Sequence, residues 1–206
     1  MHIAEGVLSG PVLISGAALA AAGTAVGLKR LDYDRIPQAA VLSAAFFVAS
    51  LVHVPVGPSS AHLILNGMVG LLLGWAAFPA ILVALLLQGV LFQFGGITTL
   101  GVNTLIMALP AVICHGLFAP WIRPDRAART AVAAAFACGG LAVFLASLVV
   151  GLALTATAES FFEIAAAVVV ANLPVLVIEG IITAFCVGFL RKVQPGLLPG
   201  ANNDNP

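Results

Sequence analysis

Residues 28–50 read LKRLDYDRIPQAAVLSAAFFVAS: three cations close together, then a run that carries no charge from Ile36 through Ser50. A helix on a soluble protein keeps one polar face, whereas this run is apolar on every side and reads as a helix buried in a bilayer. The cations before it mark the side from which it enters, because Lys and Arg accumulate in short cytoplasmic loops. The same alternation governs the whole chain. Its eight Lys and Arg residues fall into three clusters: Lys29, Arg30 and Arg35; Arg123, Arg126 and Arg129; Arg191 and Lys192. With 62% hydrophobic and only 8% charged residues among 206, the chain cannot cover a soluble globular surface.

Counting outward from this stretch gives a topology. A hydrocarbon core about 30 Å thick takes roughly 20 helical residues to cross. Apolar segments at 36–54, 61–74, 78–92 and 102–120 separate the first two clusters; 130–155 and 162–190 separate the second and third; 11–28 precedes the first. Four crossings and then two return the chain to its cationic side each time. The expectation is an all-α integral membrane protein, one transmembrane helical domain over 1–206 with seven helices. Its amino terminus is external and its tail, 191–206, is cytoplasmic. Segments 61–74 and 78–92 are short, and a re-entrant pair there would leave five full crossings. The composition of PGLLPGANNDNP predicts no further structure in the tail. No cation precedes the first apolar run, so the opening residues are not expected to be a secretory signal. Cys114, Cys138 and Cys186 lie inside apolar runs without metal-site spacing and read as packing residues.

In this topology three polar stretches share the external side: MHIAEG at the start, HVPVGPSSAHL at 53–63 and QGVLFQFGGITTLGVNT at 88–104. A histidine at position 2 is chemically unusual. The α-amine of Met1, the amide nitrogen of His2 and its Nδ1 can wrap one metal in fused chelate rings, leaving one corner of a square for a fourth nitrogen. That arrangement suits Ni(II) or Cu(II) better than tetrahedral zinc. His62 is the best candidate for the corner and His53 the alternate. A bulky second residue should also leave Met1 in place. The plainer readings are a disordered terminus for His2 and an interfacial histidine for His62. Asn66, one turn beyond His62, can orient a ligand, and Gly67, Gly70 and Gly74 read as packing glycines. Gln88, Gln93, Thr98 and Asn103 must face protein, the site or water, as a lid or as a solvated connector. His115 lies towards the other end and reads as a packing histidine. Glu179, inside the last segment, is open to protonated packing, a helix-to-helix hydrogen bond or a partner contact.

MHIAEG, HVPVGPSSAHLILNG (53–67), GGITTLGVNTLIMALPA (95–111) and IEGIITAFCVGFL (178–190) together resemble the cobalt/nickel substrate-binding (S) components of energy-coupling factor transporters, the CbiM/NikM type. The likeness runs over nearly the whole chain. It implies a six-helix S-component core with one extra amino-terminal helix, and Ni(II) or Co(II) as transported substrate held by Met1, His2 and His62. HLILNG is closer to the nickel form of the motif. It further implies a transmembrane coupling component, a pair of ATP-binding cassette ATPases and a small auxiliary membrane subunit, in a prokaryotic plasma (inner) membrane. Ala40, Ser43 and Ala44 suit a docking face on the second helix, as does GAALAAAGTAVG (16–27) on the first.

The chain itself carries no GxxxxGK[ST] phosphate loop, so ATP hydrolysis would fall to a partner. An intramembrane hydrolase would need a nucleophile motif, and neither GxSxG nor HExxH occurs. A passive cation channel needs weak sites along a path, whereas the polar groups cluster at one end. The expected role is a non-catalytic capture subunit with no nucleic-acid partner.

Overall fold

The computed structural model describes residues 2–51, 53–56 and 59–201, with 53–56 and 59–62 as backbone only. Eight α-helices occur among the described residues: α1 (Gly10–Arg30), α2 (Ile36–Ala49), α3 (Asn66–Leu73), α4 (Ala77–Phe92), α5 (Leu100–Phe118), α6 (Ala128–Thr157), α7 (Phe162–Ala171) and α8 (Leu173–Val193). Five stretches are long and apolar enough to cross a membrane: α1, α3 with α4, α5 with its terminal turn, α6, and α7 with α8. Their outward faces carry large apolar side chains, among them Ile14, Leu152, Phe162 and Phe185, the last 75% exposed. A surface of this kind is stable against lipid and not against water.

Two expected helices are built differently. The expected 61–74 helix starts late: an antiparallel hairpin, β1 (His53–Val56) with β2 (Ser59–His62), runs into its first two residues, and the eight-residue α3 begins only at Asn66. Pro55, Gly57 and Pro58 explain why no helix starts earlier, since Pro lacks the donor and Gly resists helix formation. The expected 162–190 helix breaks at Asn172, where Pro174 has no N–H and its ring keeps a carbonyl of the preceding turn from regular pairing. Asn172 Nδ2 takes up the Val168 carbonyl at 2.8 Å.

α3 lies at the centre, all eight of its residues buried. Glycine makes that position accessible. A Cβ on Gly67 would come within 2.8 Å of Gly139 Cα of α6, and one on Gly70 would overlap the Ala111 backbone of α5. Both ends of so short a buried helix leave backbone groups that no water can satisfy. Side chains from other helices do so. Glu179 of α8 accepts the N–H groups of Ile64 and Leu65, the latter at 2.9 Å. At the other end Arg35 donates to Leu72 O at 2.6 Å, and His115 Nδ1 pairs with Leu71 O at 3.1 Å. The Cys138 thiol donates to Gly67 O, in keeping with a packing role.

The cationic clusters converge on one end of the bundle. Arg30 stacks on Trp75, Arg35 and Gln38 join α2 to the chain after α8, and Arg191 donates to the carbonyls of Ile122, Arg123, Pro124 and Arg126. The tail is not structureless through 201: it forms a 3₁₀ turn at Pro195–Leu197, Gln38 donates to Leu197 O, and Leu198 is buried. α8 also continues to Val193, so the tail starts later than 191. Residues 202–206 lie outside the described residues.

Candidate metal centre

At the opposite end the first residues are strapped onto the bundle. Asn103 of α5 grips the backbone of Ile3 on both sides: Ile3 N–H donates to Oδ1 at 3.0 Å, and Nδ2 donates to Ile3 O at 3.1 Å. Thr99 Oγ1 accepts from the same Nδ2 at 3.2 Å and fixes the amide's orientation. A second tie joins Glu5 to the loop before α5, whose Thr98 N–H reaches the carboxylate at 3.1 Å. A third joins Ser9 N–H to Thr157 Oγ1 at 3.3 Å. Ile3 is 6% exposed, so the segment is built into the molecule and does not trail from it.

The loop between α4 and α5 covers this strap. The His2 ring stacks on Phe94 at 6.4 Å and 14°, and Phe94 stacks on Phe92. Glycine is required here for two reasons. Gly95 and Gly96 have φ of +81° and +142°, and a Cβ on Gly96 would overlap the Glu5 carboxylate. Gln93, with φ of +57°, turns the chain out of α4. Gln93 is exposed, at the start of the loop that places Phe94 over His2.

The hairpin and α3 approach from the other side. β1 and β2 pair His53 with His62 in register. Asn66 is fully buried and donates from Nδ2 to Met107 O at 3.2 Å; its Oδ1 has no partner among the described residues. Asn103 and Met107 are one helical turn apart on the same face of α5. The strap carrying His2 and the segment following His62 therefore dock on one face, about 6 Å apart along the axis. His62 lies four residues before Asn66, within roughly 14 Å of extended chain. Met1 and the side chains of His53 and His62 lie outside the described residues, and among the described residues no three His, Cys, Asp or Glu groups gather.

Other expected site residues have different duties. Gln88 is fully buried between α4 and α2, donating to Ser50 Oγ and Phe47 O, so it ties two helices together. Glu179 is 0% exposed and is turned inward onto Ile64 and Leu65, so of the three readings open for it the structure describes an internal hydrogen bond. Ser43 donates to Ala80 O at 2.7 Å, and Ala40, Ser43 and Ala44 line an apolar groove with Pro79 and Val83. On α1 the small residues Gly16, Ala20, Gly23 and Gly27 are consumed inside, against Val102, Phe78 and Trp75. The Ile3–Asn103 clamp and the Glu5 tie were not evident in the sequence, whose only hint was the polar pair of MHIAEG and GVNT.

The chemistry of this end favours a cation. None of the three cationic clusters lies there, while Glu5, Glu159 and Glu163 do.

Known proteins resemble this chain over nearly its whole length. The chain is 44% identical over 204 residues to a provisionally named metal transport protein of Haemophilus influenzae, covering 98% of this chain and 99% of the relative. It is 34% identical to the cobalt transport protein CbiM of Kyrpidia tusciae, over 98% of this chain and 88% of the relative. It is 33% identical to the fused nickel transport protein NikMN of Rhodobacter capsulatus, over 96% of this chain and 64% of the relative. A solved structure of a transition metal transporter superposes with a TM-score of 0.80 at 27% identity, over 94% of this chain and 93% of that one. The family model of CbiM, the cobalt uptake substrate-specific transmembrane region, matches residues 2–197, and the chain belongs to this family of membrane components of cobalt and nickel uptake.

Proposed function

We propose that this chain is the capture subunit of an ATP-driven energy-coupling factor importer. It binds Ni(II) or Co(II) at an external site formed by the Met1 amine, the His2 amide and imidazole, and the His62 imidazole. The observation that carries the reading is the Asn103 clamp on Ile3, one helical turn from the Asn66 contact with Met107. This grip satisfies the N–H and C=O of buried Ile3 and fixes the main chain at residue 3. It holds the two preceding residues in a fixed place, which is what a chelate built from a chain terminus requires. Thr98, Glu5 and the Phe94 loop close over His2, with Gln93 in the same loop, and Asn66 orients the approach of His62. His53 is the alternate fourth ligand.

The cationic end faces the cytoplasm and the strap faces outward, with seven passes if α2 and the hairpin with α3 each count as one. A coupling membrane component seats against the groove of Ala40, Ser43 and Ala44; separate ATPases and a small auxiliary subunit complete the assembly. The test is a matched pair, one protein with a free Met1 and one extended by a few residues before it, titrated with Ni(II) by calorimetry and absorbance. The free-terminus protein should bind tightly and turn yellow as a square-planar Ni(II) complex forms. Equal binding by the extended protein overturns the chelate.

A further inference from the structure

Glu179 caps a helix that begins shortly after a proposed metal ligand, and does so from a helix that spans to the opposite end of the bundle. Its carboxylate receives Ile64 and Leu65 N–H, Leu65 at 2.9 Å to one oxygen and 3.1 Å to the other. Leu65 sits at φ of +55°, a left-handed conformation that a branched apolar residue seldom adopts and that needs an external hold. Ile64 is 0% exposed, so these donors have no water to turn to. Behind Glu179, Gly139 of α6 packs so closely on the α8 backbone that its Cβ would fall 2.6 Å from Glu179 O, and Gly180 packs as closely on Phe136. The carboxylate is thus backed by a rigid wall. Twelve residues on, Arg191 of the same helix holds four carbonyls of the 122–126 loop at the cationic end.

We infer that Glu179 is a positioning residue for the metal, a latch that fixes the chain after His62 to α8 so that the His62 nitrogen is presented to the site. This rests on the site reading given above. It also makes α8 an element through which a movement at the cationic end reaches the chain after the hairpin, because Glu179 and Arg191 lie on the same helix. A carboxylate suits this role chemically. Its oxygens accept two adjacent backbone N–H groups just before α3, where neither donor has water to turn to.

The test compares Glu179→Gln with His115→Ala, which removes a cap from the opposite end of the same helix. Both variants and the wild type, each with a free Met1, are measured for thermal midpoint, Ni(II) affinity and the absorption band of bound Ni(II). Glu179→Gln should weaken Ni(II) binding about 10- to 100-fold and shift the band. His115→Ala should lower the midpoint and leave affinity and band unchanged. Equal affinities for Glu179→Gln and wild type, or equal losses in both variants, overturn the latch. If Glu179→Gln does not accumulate, hydrogen exchange on the wild type decides: Ni(II) should slow exchange in 62–66 and in 176–182 together, and protection confined to 62–66 overturns the latch. A free-terminus wild type that binds no Ni(II) or Co(II) overturns the site and the latch together; binding unaffected by Glu179→Gln overturns the latch alone.

Discussion

At the scale of residues, the strap that carries the proposed ligands is held by a neighbour outside the proposed donor set. Asn103 makes two hydrogen bonds to one residue of backbone, and Asn103→Leu leaves the N–H and C=O of buried Ile3 without partners. That costs about 1–3 kcal/mol. The expected outcome is Ni(II) affinity weaker by roughly 10- to 100-fold with the helical content intact, measured by calorimetry and circular dichroism. His62→Ala should lose most of the affinity, since His62 is the proposed donor at the fourth corner; unchanged binding would pass the role to His53. Protons compete for the same donors. The amine, the amide and both imidazoles ligate only when deprotonated, so affinity should fall as pH drops below about 6 to 7, and titrations at stepped pH read this directly.

Helices and hairpin divide the work differently from their lengths. α3 is too short to be stable alone, and its hold comes from the glycines that admit it between α5 and α6 and from side chains at its two ends. Gly70→Val would drive its branched side chain into the Ala111 backbone, where no side-chain movement gives relief. Destabilisation of about 1–3 kcal/mol is expected, seen as a lower thermal midpoint in detergent, and Ni(II) binding should weaken because α3 carries Asn66. A Gly116→Ala control on α5, where a Cβ meets nothing within 4 Å, should change neither. The break between α7 and α8 follows from Pro174 and was invisible to a count of apolar residues, which sees one long run over 162–190.

For the whole molecule, the charge clusters and the strap lie at opposite ends, which predicts opposite accessibility: single cysteines introduced at Ser160 and at Asp125 of a protein without its native cysteines should label from different sides of intact cells. Labelling from one side would contradict the orientation. The isolated chain should bind metal yet show little ATP-dependent uptake in liposomes, because no phosphate loop is present. The sequence by itself determined the membrane class, the gathering of cations at one end, the family and the residue types of the candidate ligands. Those follow from composition, and from short motifs whose chemistry is local: a run without charge cannot face water, and a histidine at position 2 is adjacent to an amine by covalent structure. The tertiary structure alone decided that Asn103 holds Ile3, that Glu179 turns inward onto Ile64 and Leu65, that Gln88 ties helices together, and that a hairpin at 53–62 precedes a half-length helix at 66–73. The Asn103 and Glu179 contacts join groups a hundred or more residues apart and the Gln88 contact groups 38 apart, and in a lipid-buried core every backbone N–H must find a partner whether or not the local sequence names it.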